Sequence, residues 1–390
     1  MSTLPDVAET TTTAPSTWAT DRLRLGQTNV GFWVVIAASL VVVGDLPAAV
    51  DSGVGAWAAI AAAQVAIQLP FDVVGGYSLP LRHGRWLGGL DAWAAEWARG
   101  AVVSWGLVTG VGASTLAVGG AGGSAAAVAW LAAVGVGMVA AQGLLVQLVA
   151  GRRAAPLGAA TASVFRGIGL DPDRVRVLDV ADRGFVGGWV GAPGAERLIL
   201  PRRWLGGGDA ELTVLGLRRQ LAVATGARAW GVLGALVFNV VGLVGAAWLT
   251  GADLSRVDGL LVFSAAFTLW SFLGLLTLPT VSRRGVVALD RAVVERAGSR
   301  PLVERVFTRL DHDQEDEPVR AGWIETIFHP VPSVASRSAA LRASTGPGPG
   351  APWRVARTAL FVGWGQLSWL SRAVHCNCGR PVLWALPPGD

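Results

Sequence analysis

The chain has 390 residues, of which 52% are hydrophobic and 15% charged, and its mean hydropathy is +0.49. These values exclude an ordinary soluble protein and favour a polytopic membrane protein. The net charge is only +5, so the basic pI indicates membrane orientation rather than nucleic-acid binding. We therefore expect the lipid bilayer as a partner and no nucleic acid.

The N-terminal region is polar and rich in threonine. It lacks the arginine-flanked apolar core that is typical of a signal peptide. We expect residues 1–28 to form a disordered polar tail.

Residues 29–150 and 228–281 hold the apolar stretches of the chain. Six of these stretches approach the roughly 20 residues that a membrane-spanning helix needs. They are residues 31–50, 55–78, 101–118, 126–150, 229–250 and 259–280. We expect four transmembrane helices and, after a polar block, a transmembrane hairpin.

The placement of arginine predicts the orientation in the membrane. Arg22 and Arg24 precede the first stretch, Arg152–Arg153 follow the fourth and Arg283–Arg284 follow the sixth, whereas the opposite loops carry little positive charge. The positive-inside rule then places both termini and both polar blocks in the cytoplasm. We expect an integral protein of the cytoplasmic membrane.

Two carboxylates lie near the ends of predicted spans, Asp45 in the first and Asp72 in the second. Acidic residues inside a membrane indicate a functional pathway by default. For Asp72 an interfacial cap close to Arg82 and Arg85 is an equally good interpretation. Under the first interpretation the two residues would belong to a transporter or channel.

Residues 151–227 are polar enough to fold in water. The alternating run 174–180 and the apolar run 197–201 flank a segment rich in glycine and proline, which predicts a small antiparallel sheet. Asp209 then is a candidate N-cap, and leucines recur on one helical face, which predicts an amphipathic helix.

This order of elements, followed by SRRGVVALD at 282–290, resembles the membrane metallopeptidases of the HtpX and CAAX-prenyl-protease type. In that family the amphipathic helix carries an HExxH motif. Its two histidines bind zinc, its glutamate activates water, and a later SRxxExxAD segment supplies the third ligand. The resemblance covers roughly residues 55–340. It implies an α-helical polytopic membrane protein of about six transmembrane helices, with a small cytoplasmic α+β metallopeptidase-like domain.

The ligand positions of the family are replaced in this sequence. Ser282, Arg283 and Asp290 match the later segment, but its ligand glutamate falls at Val286. In the amphipathic helix the functional positions fall, in one register or the other, on Arg218, Arg219 and Ala222, or on Arg219, Gln220 and Val223. The resemblance therefore implies a pseudopeptidase with no zinc at the family site.

Two adjacent arginines lie where the metal would be bound. We expect the positive charge of Arg218 and Arg219 to stand in for the cation and to pair with Asp290.

The predicted cytoplasmic segment 282–343 contains a third element that matches the family. His329, Pro330 and Arg337 correspond to an HP pair with a downstream arginine that lies near the scissile bond. The spacing to Arg337 is longer than in the family, so a turn that starts a helix is favoured. The acidic run 310–318 is predicted to be a solvated loop, with binding of a divalent cation as the alternative.

Residues 344–390 begin with a linker rich in glycine and proline. Residues 357–374 place apolar side chains on one helical face and are short for a span, which predicts an interfacial amphipathic helix followed by a tail. The HCNCG sequence offers His375, Cys376 and Cys378 as soft metal ligands, or its two thiols for palmitoylation. Reduced, unmodified cysteines are the simplest interpretation.

Three functions are consistent with these features. The first is an inactive peptidase homologue that binds membrane-protein or peptide segments, with extended clients pairing to an edge strand. The second is an active zinc metalloendopeptidase with displaced ligands, for which His329, His375 and the cysteines would converge. The third is a transporter or channel that uses Asp45 and Asp72. The identity of the client and the oligomeric state stay open.

Overall fold

The computed structural model describes residues 16–44, 53–86, 88–343, 346–348 and 350–387. The described part of the chain is mostly helical and contains one small sheet. Five helical stretches are long and apolar enough to cross a membrane: Trp18–Val43, Val54–Arg82, Leu90–Ala150, Ala227–Thr250 and Val257–Ala297. The first stretch is helix α1 (Trp18–Val43), and the last two are α7 (Ala227–Thr250) and α8 (Val257–Ala297). The second comprises α2 (Val54–Val73), a π-helical turn and α3 (Leu79–Arg82), and the third is α4 (Leu90–Ala150).

Helix α1 differs from the predicted first span. It begins at Trp18, where the Thr17 hydroxyl caps the first turn, and it ends at Val43. The expected disordered tail is therefore helical from Trp18 onward, because the N-cap and the following apolar residues favour a helix. Asp45 lies outside the described residues.

Helix α4 is folded back on itself at Gly123, whose φ of 75° and ψ of 178° are not helical. A straight helix of this length would extend about 90 Å. Instead, Trp130 Nε1 donates to Ser114 Oγ at 3.0 Å, and Arg99 Nη1 donates to the Ala150 carbonyl at 3.1 Å. The two arms therefore run antiparallel and coincide with the third and fourth predicted stretches.

The sheet follows α4 and has the strand order β1-β2-β4-β3. Its strands are β1 (Ala155–Pro156), β2 (Val175–Leu178), β3 (Gly188–Val190) and β4 (Arg197–Pro201). The predicted antiparallel pairing of the two main strands is wrong, because β2 and β4 run parallel. The chain passes from β2 to the edge strand β3 and turns back through Gly191 and Gly194, both at positive φ. β4 therefore enters between β2 and β3, antiparallel to β3 alone.

Six further helices pack around the sheet and inside the bundle. They are α5 (Ala159–Gly167), α6 (Asp209–Ala224), α9 (Arg300–Gln314), α10 (Gly322–Phe328), α11 (Val334–Arg342) and α12 (Val355–Gly365), and a short α13 (Pro381–Ala385) follows. Helix α6 matches the predicted amphipathic helix, although Gly208 rather than Asp209 occupies the N-cap. The core beneath it includes Leu215, Leu198 and Phe307.

Helix α8 joins the apolar bundle to this polar domain without a break. Its 41 residues extend about 60 Å, so the SRR segment continues the membrane-length helix. The acidic run is also helical in part, since α9 ends only at Gln314. The acidic run was predicted to be exposed to solvent, but Gln314 and Glu315 are buried against α1. Trp18 Nε1 and Arg22 Nη1 of α1 both donate to the Gln314 carbonyl.

The C-terminal segment 353–387 lies inside the helical bundle. The prediction of an amphipathic helix at the membrane interface is therefore wrong. Helix α12 packs on α4, α7 and α8, and α13 packs on α4. The chain reverses at Leu367, whose φ is 73°. Apart from Thr358, every residue of α12 is buried, which is the pattern of a helix surrounded by protein rather than of a surface helix.

Glycines on the surrounding helices let this inserted segment approach closely. A Cβ at Gly231 of α7 would lie 1.9 Å from the Trp353 carbonyl oxygen, whereas one at Gly245 of the same helix would contact nothing within 4 Å. Glycine at position 231 is therefore required by packing against the C-terminal segment.

We expect Gly231→Ala to destabilise the protein by about 1–3 kcal/mol, because the added methyl group overpacks a filled contact. Gly245→Ala on the same helix is the matched control. It should leave stability unchanged or raise it by up to about 1 kcal/mol, since alanine is the better helix former. Thermal unfolding in detergent measures both changes, and equal midpoints for the two variants would contradict the packing.

Candidate functional site

Helix α6 packs against α8 at residues that the family resemblance singled out: the replaced position Arg218 and the retained residue Asp290. Arg218 Nε donates to Asp290 Oδ1 at 3.0 Å. Arg337 in α11 donates to the same carboxylate through Nε at 2.7 Å and Nη2 at 2.9 Å. All three side chains are at most 2% exposed. The expected pair of Arg218 with Asp290 is confirmed, and we call these three residues the ion cluster.

Aromatic rings line the ion cluster. The Arg337 guanidinium lies 3.5 Å from the centroid of the Phe307 ring, and that of Arg218 lies 6.0 Å from a Trp353 ring centroid. Such contacts stabilise a cation that has been removed from water. His329 and Pro330 lead into the turn that starts α11, where Ser333 is the N-cap. This agrees with the predicted helix-starting turn, and it is this turn that brings Arg337 to Asp290.

Arg219 makes different contacts from its neighbour. Its Nη2 donates to the Val186 carbonyl at 3.2 Å, and its own carbonyl accepts from Trp189 Nε1 at 2.7 Å. Arg219 thus holds α6 against the loop and strand that precede β4. Gln220, the next residue, is half-buried.

The remaining ligand positions are apolar and packed. Ala222 and Val286 are at most 1% exposed and belong to one apolar cluster, with Val223 at its edge. Alanine and valine offer no atom to a metal ion, and the guanidinium of Arg218 nearby repels a cation. The residues present therefore do not fit zinc at the family site.

The retained frame residues of the SRR segment have structural contacts. Ser282 Oγ accepts from the Ala356 amide at 3.0 Å and so anchors the first turn of α12. Arg283 Nη1 donates to Thr326 Oγ1 of α10 at 3.2 Å. Both contacts join α8 to neighbouring elements of the chain.

A second group of polar side chains lies between α9, α10 and the inserted segment. Among the residues that the structure describes, Glu315, His329 and His375 alone form a trio of His, Cys, Asp or Glu whose ligand atoms lie within 4.8 Å of one another. His375 Nε2 is 3.6 Å from Glu315 Oε1, and the two imidazole centroids are 5.3 Å apart. The Nε2 of His329 has no hydrogen-bond partner. We call this trio the histidine cluster.

The environment fixes the protonation of the histidine cluster. Burial lowers the pKa of His329 well below its ordinary value, although Glu315 acts in the opposite direction. Burial raises the pKa of Glu315, but Arg22, His375 and His329 outweigh it and bring that pKa well below its ordinary value. His329 is therefore neutral and Glu315 ionised near pH 7.

Sequence reasoning found two of these three residues. The hypothesis of displaced zinc ligands required His329, His375 and the cysteines to converge. In the structure the two histidines lie together, and the thiols do not join them. Glu315 was missed because its acidic neighbours resemble a solvated loop. No local pattern separates Glu315 from its acidic neighbours. Its burial depends on a tertiary contact, since Arg22 Nη1 of α1 lies 3.3 Å from Glu315 Oε2.

The two thiols of HCNCG point to different neighbours. Cys376 Sγ lies 2.7 Å from Arg357 Nη1, while Cys378 Sγ lies 3.1 Å from the Phe71 carbonyl. Both cysteines are at most 1% exposed, so the alternative of lipidation does not fit this structure, because a buried thiol cannot reach an acyl donor. His375, Cys376 and Cys378 do not form a common ligand set.

Asp72 is an anchor for the inserted segment. It accepts from Arg372 Nη2 at 2.5 Å, the Gly379 amide at 2.8 Å, Trp97 Nε1 at 2.9 Å and Gln68 Nε2 at 3.1 Å. The expected cap near Arg82 and Arg85 is wrong, because those arginines pair with Asp21 and Asp316 instead.

An apolar cavity of about 390 Å³ lies between α1, α8 and α12. Its walls include Val30, Phe272, Leu275, Leu276 and Leu360, and Arg357 and His375 lie at its polar end. Leu276 is 38% exposed, so the cavity reaches the outer surface of the bundle. No sequence pattern predicted this cavity, because three distant segments form it.

Comparison with known proteins does not place the chain in a family. No protein-family model matches it, and none of the curated proteins is detectably similar.

We expect Asp290→Asn to destabilise the protein by about 3–5 kcal/mol, because it removes the carboxylate that two buried guanidinium groups share. Asp258→Asn is the control, since Asp258 pairs with Arg256 at the surface and such pairs contribute at most about 1 kcal/mol. Thermal or denaturant unfolding in detergent measures the difference. A neutral Asp290→Asn variant would show that the ion cluster does not stabilise the fold.

Asp72→Asn should loosen the inserted segment, because the carboxylate partner of Arg372 is lost. The measurement is the rate at which Cys376 and Cys378 react with a maleimide under native conditions. Reaction should be slow in the parent protein and at least about tenfold faster in the variant, which corresponds to roughly 1.4 kcal/mol in the opening equilibrium. Asp253→Asn, at an exposed loop, should leave the rate unchanged. Equal rates for all three proteins would contradict the anchoring role.

Proposed function

We propose that this chain is a catalytically inactive homologue of the HtpX and CAAX-prenyl-protease type of membrane metallopeptidase, and that it binds membrane-protein or peptide segments. The observation that carries the proposal is the ion cluster of Arg218, Asp290 and Arg337 at the contact of α6 with α8. In the resembling family this contact would hold zinc. Here an arginine and apolar residues occupy the positions of the ligands, and buried ion pairs join the same elements.

The proposal includes six membrane crossings, two of which are the arms of α4. Arginine-rich ends then face the cytoplasm together with the sheet and both termini, in the cytoplasmic membrane. Support comes from the five apolar helices and from the antiparallel arrangement of the two arms. The 61-residue length of α4 is about three times what one crossing needs.

The client site that we propose is the apolar cavity rather than the sheet edge. Strand β3 is buried along its whole length, and Val190 packs against Gly143 of α4. An extended peptide cannot pair with the covered edge of β3. The opposite edge strand, β1, has only two residues, and one of them is Pro156, which cannot donate a backbone hydrogen bond. The cavity, in contrast, is apolar and reaches the bundle surface at Leu276, which suits an apolar segment that arrives from the membrane.

A displaced catalytic zinc site fits these contacts less well. Two histidines and a glutamate are a ligand set of zinc peptidases, and the histidine cluster supplies it. However, His329 and Glu315 are at most 8% exposed, and Arg22 already binds one carboxylate oxygen of Glu315. A peptide bond could not reach this buried position.

The proposal is tested with a photoreactive amino acid at Leu276 and a synthetic leucine-rich transmembrane peptide in liposomes. We expect a crosslinked product whose mass equals that of the protein plus the intact peptide, because the peptide binds and is not cut. The control carries the same label at Trp248, which is 85% exposed on α7 and outside the cavity, and it should give at most about a tenth as much product.

Two results would overturn the proposal. Equal crosslinking at both positions would show only contact with the bilayer-embedded peptide and no specific site. Peptide fragments that disappear when a chelator is added would show an active metallopeptidase.

A further inference from the structure

We propose that Glu315, His329 and His375 form a binding site for one transition-metal dication of the Zn²⁺ type, which clamps the inserted C-terminal segment to the cytoplasmic helices. The three ligands come from three separate parts of the chain: the end of α9, the end of α10, and the segment between α12 and α13. A metal ion would therefore crosslink elements that are separate in the sequence.

A buried nitrogen without a partner points to a missing ligand. His329 is 3% exposed, and its Nε2 has no hydrogen-bond partner. The Nε2 of His375 faces Glu315 Oε1 at 3.6 Å. Buried polar atoms are nearly always bonded, and a metal ion would satisfy His329 Nε2 while it also binds His375 and Glu315.

The distances suit a small ion after a slight closure. In a tetrahedral zinc site with bonds of about 2.0–2.2 Å, neighbouring ligand atoms are roughly 3.4 Å apart. His375 Nε2 and Glu315 Oε1 are already 3.6 Å apart, and the widest separation in the trio is within 4.8 Å. Two imidazole nitrogens with one carboxylate oxygen favour zinc and its neighbours over calcium or magnesium.

Space for a fourth ligand lies beside two members of the trio. A cavity of about 20 Å³ borders Glu315 and His329. One water molecule needs roughly 10–15 Å³. A bound water would complete four-coordination.

Arg22 holds two of the ligands in place. It donates to Glu315 Oε2 at 3.3 Å and to the His375 carbonyl at 3.1 Å. Glu315 thus presents its other oxygen, Oε1, to His375. Hydrogen bonds from groups around a metal site orient its ligands in this manner.

Guanidinium groups near the trio oppose a cation. Asp311 pairs with Arg320 at 2.8 Å and offsets part of its charge. Arg22 pairs with Glu315, the same carboxylate that would bind the metal, and Arg357 Nη1 lies against the Cys376 thiol. We therefore expect weaker binding than at a site with two carboxylate ligands, at the same stoichiometry.

The test is metal binding by the full-length protein in detergent, after treatment with a chelator and dialysis against zinc chloride. Mass spectrometry should find about one zinc per chain, and zinc should raise the midpoint of thermal unfolding, since it binds only the folded state. Cobalt should bind with the visible absorption of a tetrahedral nitrogen–oxygen site. Failure of the parent protein to bind either ion would overturn the proposal.

Variants assign the site. His329→Gln, His375→Gln and Glu315→Gln should each lose the zinc and the shift in midpoint, while remaining monodisperse by size exclusion. His312→Gln and the double variant Cys376→Ala with Cys378→Ala should keep both. Zinc that persists in all three ligand variants, or that is lost only in the cysteine variant, would overturn the assignment.

The site and the proposed function can fail independently. Zinc-loaded protein that cuts the peptide only while His329 is present would keep the metal site and remove the claim of inactivity. Intact peptide with zinc bound would support both. Intact peptide without bound zinc would support the function and overturn the metal site.

Discussion

Backbone polar groups inside an apolar bundle must find partners within the protein, because no water is present to replace them. The C-terminal segment meets this requirement where it leaves helical geometry. The Leu367 carbonyl accepts from Ser264 of α8, the Gly379 carbonyl accepts from Trp93 of α4, and the Gly379 amide donates to Asp72 of α2. Polar side chains on the apolar helices are thus explained by the inserted chain that they contact.

Buried charges then connect elements that are distant in sequence. Asp72 and Arg372 are separated by 300 residues, and Asp290 and Arg337 by 47. Moving such charges out of water costs free energy, and their mutual attraction offsets this cost only when the geometry is good. The carboxylate of Asp290 meets two arginines from α6 and α11. These pairs therefore specify one arrangement of helices.

The ion cluster occupies a position that, in the proposed family, would hold a metal ion with three ligands. Either arrangement ties the same two helices together through charge. Zinc would require histidine and glutamate side chains, whereas the ion cluster needs apolar neighbours such as Val286 and Ala222 to exclude water. Val286, which follows the SRR arginines, is consistent with this difference, because it is buried in the core and does not lie on a solvated face.

The sequence by itself determined the apolar helices and the amphipathic helix α6. Hydrophobic period and charge are local properties, so they can be counted along the chain. The pairing of Arg218 with Asp290 was expected only through the family resemblance, because the two residues are 72 positions apart. Only the tertiary structure decided the parallel β2–β4 pair, the burial of Glu315 and the insertion of residues 353–387, because each depends on contacts between distant segments. The apolar residues around Trp364 lie on one helical face, which predicted a surface helix, but the pattern does not specify whether lipid or protein covers that face. In the structure it is protein, since glycines on the neighbouring helices leave the space that the inserted segment fills.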